Sequence, residues 1–177
     1  MNLPNKLTML RIVLVPVFVV LFLRGWYAAA LIVFAAASIT DTLDGHIARS
    51  RNLITNFGKL MDPLADKILV MAAMLCFVEA RACPAWIVIV ILAREFLVTS
   101  LRLIAAGEGT VIAADVFGKA KTVAQMLWIV CGLLAFAAGA AWIWTVARLL
   151  MWLSLALALL SGANYCAKNR AVFLSDL

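Results

Sequence analysis

The chain has 177 residues, 67% of them hydrophobic and 14% charged, with a formal net charge of +6. Its mean hydropathy of +1.09 excludes a soluble globular domain and points to one integral membrane domain spanning 1–177. The positive balance requires no nucleic acid as partner, because membrane topology and anionic lipid head groups account for it.

A helical span needs about 20 apolar residues. The sequence predicts six, over 7–24, 27–48, 59–80, 84–106, 118–138 and 141–163. Arg24-Gly25, the polar segment 49–57, the stretch from Arg81 to Pro84, the segment from Gly107 to Gly118, and Gly139 punctuate them. The expected fold class is therefore all-α, a polytopic bundle of six transmembrane helices. With the N-terminus inside, Lys6, Arg49, Arg51, Lys59, Lys119, Lys121, Lys168 and Arg170 fall on the cytoplasmic side, and only Arg24 and Arg81 opposite. That is the positive-inside pattern, so both termini are expected in the cytoplasm, with the chain in the cell's inner membrane.

The first span opens on Pro4 and Asn5, both suited to a helix start. Lys6 and Arg11, the apolar run 12–23 and Ala28 to Ala30 resemble a cleaved secretory signal. Arg24 interrupts that pattern, and a retained first helix is expected. Asn5, Thr8 and Arg11 recur every third residue. Thr8 and Arg11 face the polar cavity or form a cap with a snorkelling cation, and both readings stay open.

The second span is alanine-rich until Asp41, which suits close helix packing in lipid. Asp41, Asp44, Gly45 and Ala48 fall on one stripe of a helix, and Gly58, Asp62 and Asp66, four apart, fall on one face of the next. Gly45 and Ala48 serve packing or admit a ligand. Arg49 suits the end of the helix dipole. His46, the only histidine, turns off the carboxylate stripe and is expected to be a bystander. Pro63 sits in the first turn of the third helix or bends it further in. Lys67 pairs with a carboxylate or meets a lipid phosphate.

The fourth span carries Arg94 and Glu95 at depth, and Arg102 further on. Buried charges there need partners or a cavity. Adjacent residues point about 100° apart, so Arg94 and Glu95 are expected to find partners on other helices. Arg102 favours a basic pocket for an anionic substrate over a structural ion pair. In the fifth span, Lys119, Lys121 and Thr122 at a helix start suit a phosphate. Otherwise the last two helices read as scaffold, with Trp128, Trp142, Trp144 and Trp152 as anchors or packing residues. Arg148 has no evident partner. The four cysteines, at 76, 83, 131 and 166, lack metal-binding spacing and read as buried free thiols.

Four of the nine carboxylates thus lie between Asp41 and Asp66. Oxygen donors select hard cations. Two helix ends carrying four aspartates suit a two-metal centre that clamps attacking and leaving oxygens. The residues alone reach metal-assisted phosphoryl transfer at the cytoplasmic membrane surface.

The set Asp41-x-x-Asp44-Gly45-x-x-Ala48-Arg49, then eight residues, then Gly58-x-x-x-Asp62-x-x-x-Asp66, resembles the signature of the CDP-alcohol phosphotransferases at every fixed position. The segments 4–11, 93–102 and 118–125 are similar to a bacterial branch of that family that acts on glycerol 3-phosphate. The resemblance implies six transmembrane helices, a homodimer, and a cytoplasm-facing polar cavity that holds two Mg²⁺ or Mn²⁺ ions. Asp41, Asp44 and Asp62 would hold the ions, with Asp66 near them and acting as the base. Gly45, Ala48 and Gly58 would accommodate the cytidine nucleotide, with Arg49 nearby. The implied reaction joins CDP-diacylglycerol and glycerol 3-phosphate into phosphatidylglycerophosphate and CMP. Arg94, Arg102, Lys119 and Lys121, with Thr8 and Arg11, are candidates for the acceptor phosphate.

Competing readings are the same chemistry on inositol phosphate, serine or phosphatidylglycerol, a cation transporter or channel, and a structural membrane subunit. An uncharged acceptor would leave the cations of the fourth and fifth spans without a task. A transporter would place its carboxylates near the midplane, on broken helices.

Overall fold

A computed structural model describes the backbone over 3–50, 56–107 and 116–168, and the side chains over 9–40, 67–104, 116–165 and 167. Six helices form among the described residues: α1 (Leu3–Leu23), α2 (Tyr27–Ser50), α3 (Asn56–Glu79), α4 (Ala85–Gly107), α5 (Val116–Ala138) and α6 (Ala141–Lys168). The order matches the expected spans, and the fold is all-α. Pro63 falls within α3 beyond its first turn, so it belongs to the helix interior and not to the start.

The turns are made where the sequence marks them. Gly25 adopts φ +77°. Its N–H bonds to Phe22 O while that of Trp26 reaches Leu21 O, a Schellman end to α1. Gly139 closes α5 with φ +66°. At the end of α3 the same hydrogen-bond pair recurs around Arg81, which takes φ +57° without being glycine.

The helices fall into two groups. α1 lies against α2 and α3, while α5 pairs with α6 and α6 with α4. α2 packs on α5 to join the groups, and α3 touches α4 and α5 more lightly. An aromatic cluster fills the join. Phe22 packs edge-on to Phe136, and Phe77 packs against Trp128. The ring of Phe77 lies so near Gly132 of α5 that a Cβ there would come within 2.5 Å of it. A small residue is what lets α3 and α5 close to that distance.

The outer surface is apolar: Val13, Ile32, Ile89, Leu103, Leu149 and Leu160 are all more than half exposed. So much unpartnered hydrocarbon suits lipid rather than water. Among the described residues, Val116–Ala138 and Ala141–Tyr165 are long and apolar enough to cross a membrane. The chain is a membrane protein with candidate transmembrane helices. Trp128 is buried, whereas Trp142 and Trp152 are exposed, so the tryptophans divide between packing and surface positions. Cys76 and Cys83 are buried free thiols, Cys131 is a partly buried one, and Cys166 lies outside the described side chains. Arg148 is exposed.

Candidate functional site

Helix formation through both halves of the aspartate motif is the first requirement of the site. Asp41 and Asp44 lie in the last turns of α2, and Asp62 and Asp66 in the first turns of α3, with residues 51–55 between the helices. The backbone therefore has the period that puts 41, 44, 45 and 48 on one stripe and 58, 62 and 66 on another. The side chains of these residues, and of Thr8, His46 and Arg49, lie outside the described residues. Four oxygen donors on two consecutive helix ends fit a hard divalent cation by the chemistry of the donor set. Among the described residues no other group of histidine, cysteine or acidic side chains could hold a metal.

A second feature follows directly after Asp66 along α3. Lys67 opens onto a cavity of about 370 Å³ between α3, α4, α5 and α6. Lys67, Arg94, Arg102 and Lys119 line it, with Glu95 and Tyr165. Among the described residues, four cations and one carboxylate line it. That excess of positive charge at a partly enclosed cavity suits an anion from outside.

Three of the four cations have partners in the wall. Arg94 donates from Nη1 to Glu95 Oε1 at 2.9 Å, and from Nη2 to Ser161 Oγ of α6. Gly118 and Gly162 flank it, and a Cβ on Gly162 would stand 3.2 Å from Arg94 Cγ. Arg102 donates from Nε to the Tyr165 hydroxyl at 2.7 Å, and its guanidinium carbon sits 5.5 Å from that ring's centroid. Lys67 donates to Thr99 Oγ1 and lies 4.0 Å from Glu95 Oε2. Lys119 is exposed.

Two sequence expectations change here, and one open reading narrows. Arg94 and Glu95 do pair with each other. The 100° between adjacent positions describes the Cβ directions, and the long arginine bends back across it. Glu95 then also collects Lys121 from α5 and the more distant Lys67. Lys121 turns away from the cationic cavity: its side chain is only 3% exposed and is bonded to Glu95. It lines a neighbouring, mostly apolar cavity of about 180 Å³ with Met71, Met74 and Gln125. Arg11 is buried against the bundle at 2% exposure, so it is not a snorkelling edge cation, and it lies outside the lining of the cationic cavity.

The cavity thus gathers Arg94, Arg102 and Lys119 and leaves out Lys121. It adds Lys67, whose reading was open, and Thr99 and Tyr165, while the buried Ser161 backs Arg94 from behind the lining; the sequence reading passed over the last three. A signal for the last two existed. Ser154, Ser161 and Tyr165 recur along one face of an otherwise apolar helix, and all three are buried. Of the three, Ser161 and Tyr165 each meet an arginine of α4.

Residues 1–160 match the profile described as CDP-alcohol phosphatidyltransferase. The chain belongs to the CDP-alcohol phosphatidyltransferase family. It is similar to the CDP-diacylglycerol–glycerol-3-phosphate 3-phosphatidyltransferase of Bacillus subtilis (strain 168), 43% identical over 183 residues that cover 95% of each chain. The protein of that name from Rickettsia typhi is 36% identical, covering 97% of this chain and 99% of its own. Its counterpart from Haemophilus influenzae is 39% identical, covering 71% of this chain and 72% of its own.

Proposed function

We propose that this chain transfers the phosphatidyl group of CDP-diacylglycerol to glycerol 3-phosphate at the cytoplasmic face of the membrane, releasing CMP. The observation that carries the reading is the cavity where, among the described residues, Lys67, Arg94, Arg102 and Lys119 outnumber Glu95, next along α3 from Asp66. A phosphate-bearing acceptor supplies the anion that suits this cavity. Serine or phosphatidylglycerol would not place a terminal phosphate there. The names of the relatives and the family signature support the same substrates.

In this reading six helices cross the membrane, both termini are cytoplasmic, and two copies form a homodimer. Asp41, Asp44 and Asp62, with Asp66 beside them, would hold two Mg²⁺ or Mn²⁺ ions. When bound, the ions supply charge neutralisation on the pyrophosphate and on the departing CMP. Gly45, Ala48 and Gly58 leave room for the cytidine nucleotide, with Arg49 at its edge. The cationic cavity holds the acceptor's phosphate and so fixes the direction of its free hydroxyl. Asp66 takes the proton of that hydroxyl. The hydroxyl oxygen bonds to the phosphorus on the diacylglycerol side, and the bond from that phosphorus to the bridging oxygen breaks. CMP leaves with the bridging oxygen, and phosphatidylglycerophosphate remains.

The test is an acceptor panel on purified protein with CDP-diacylglycerol and Mg²⁺, read as CMP release. Glycerol 3-phosphate should support turnover far above inositol phosphate, serine and phosphatidylglycerol. Preference for an uncharged acceptor, or no CMP release with any of them, would refute the assignment.

A further inference from the structure

Arg94 and Arg102 both belong to α4, yet the hydroxyl groups that hold them belong to α6. Ser161 accepts from Arg94 Nη2, and Tyr165 accepts from Arg102 Nε. Ser161 and Tyr165 are four apart, so they share one face of α6. Both are buried, at 0% and 3% exposure. A long cation at a cavity wall samples many rotamers, and binding must first suppress them. Here the suppression is built in before any ligand arrives.

The two arginines are held in different ways. Both terminal nitrogens of Arg94 are committed, one to Glu95 and one to Ser161, and the absence of side chains at Gly118 and Gly162 lets the backbones of α5 and α6 lie close against it. Arg94 therefore contributes fixed charge. Arg102 is anchored by Nε alone, and its two Nη groups carry no hydrogen bond among the described residues. A planar guanidinium held by its inner nitrogen presents its two outer ones as a fork, which matches two oxygens of a phosphate.

We propose that Ser161 and Tyr165 are positioning residues for the acceptor, with Tyr165 aiming the Arg102 fork at the acceptor's phosphate and Ser161 fixing Arg94 behind it. The proposal rests on the reading of the cavity as the acceptor-phosphate site. It makes α6 an element that sets acceptor specificity, where the sequence alone suggests scaffold.

The test measures KM for both substrates in full-length purified protein. Arg102→Ala and Arg94→Ala establish the cavity itself, and each should raise KM for glycerol 3-phosphate by about tenfold or more, the usual range for hydrogen bonds to charged groups. Tyr165→Phe keeps the ring and removes only the hydroxyl. It should raise the same KM by about threefold to tenfold and leave KM for CDP-diacylglycerol within about twofold. In the Arg102→Ala background it should add little, because the two act as one unit. Ser161→Ala should behave likewise with Arg94, and Ser161→Thr should restore the acceptor KM. Arg102→Lys should rescue poorly, having no fork.

If the arginine variants raise KM for glycerol 3-phosphate and the hydroxyl variants do not, the positioning role is overturned while the cavity reading stands. If Tyr165→Phe weakens both substrates equally, its hydroxyl is structural and the proposal is likewise overturned. If Arg102→Ala and Arg94→Ala leave the acceptor KM alone, the cavity reading fails first and the positioning role with it.

Discussion

The guanidinium of Arg94 on α4 meets the hydroxyl of Ser161 on α6, across a separation of 67 residues. The same arginine also bonds Glu95, its neighbour in sequence, and Glu95 accepts from Lys121 on α5. Three helices are tied by one chain of charged and polar groups. Its weakest feature is the single carboxylate at the centre.

Removal of that carboxylate should therefore be costly. Glu95→Gln removes the negative charge that offsets the buried Lys121 ammonium, and breaking one side of a buried pair typically costs about 3–5 kcal/mol. Glu95 is partly open to the cavity, at 20% side-chain exposure, which moves the expected loss toward the lower figure. Thermal unfolding in detergent should show the drop. Lys121→Met in the Glu95→Gln background should recover much of it, since a similar-sized apolar side chain has no charge to strand. A double variant no more stable than the single one would remove Lys121 as the cause.

Asp66→Asn should keep nucleotide and metal binding while lowering turnover by about 10²–10⁴-fold, the usual contribution of a general base. Calorimetric titration with CDP-diacylglycerol analogues checks the first part and CMP release the second. Near-normal turnover would reassign the base.

Close approach of α3 and α5 depends on Gly132. Its replacement by alanine sets a methyl within 2.5 Å of the Phe77 ring, which is itself enclosed by Phe22, Trp128 and Phe136. Overpacking of this kind costs about 1–3 kcal/mol. Gly132→Ala should lower the unfolding temperature, and Phe77→Leu in the same chain should relieve part of the loss. An unchanged melting curve for Gly132→Ala would show that the ring moves aside freely.

Cys83, in the turn between α3 and α4, is buried, and burial pushes its thiol from 9.0 up to about 11. The folded protein therefore holds this proton through the range where an ordinary thiol loses it. The thiolate is the reactive form, so maleimide labelling should be slow at pH 8 and climb between pH 9 and 11. A chain with the other cysteines changed to alanine isolates the site, and the same chain in SDS should label quickly near pH 9. Rapid labelling of the folded protein at pH 8 would contradict the enclosed position.

The sequence reading found the helices because each apolar run is closed by a residue with a local reason to stop it. Gly25 and Gly139 take the left-handed backbone that ends α1 and α5. Its least accurate boundary was the end of α6, which runs to Lys168 rather than 163. There Ser161, Asn164 and Tyr165 look like the polar exit from a membrane, but Ser161 and Tyr165 are buried as partners for α4 arginines. The aspartate motif was legible because both its spacing and its charge are anomalous in such a chain. The pairing of Arg94 with Glu95 was not, since helical period describes where a side chain starts and not how far it reaches. Nor could spacing alone separate Lys119, at the cationic cavity, from Lys121, buried two residues later against Glu95.

The division of the bundle into α1–α2–α3 and α4–α5–α6 bears on the reaction itself. The aspartates ride on the first trio, while every described cation lining the cationic cavity except Lys67 rides on the second. In the proposed reaction the metal donors and most contacts to the acceptor's phosphate therefore sit on separate halves of the molecule, and the fit of α2 against α5 works as the ruler between them.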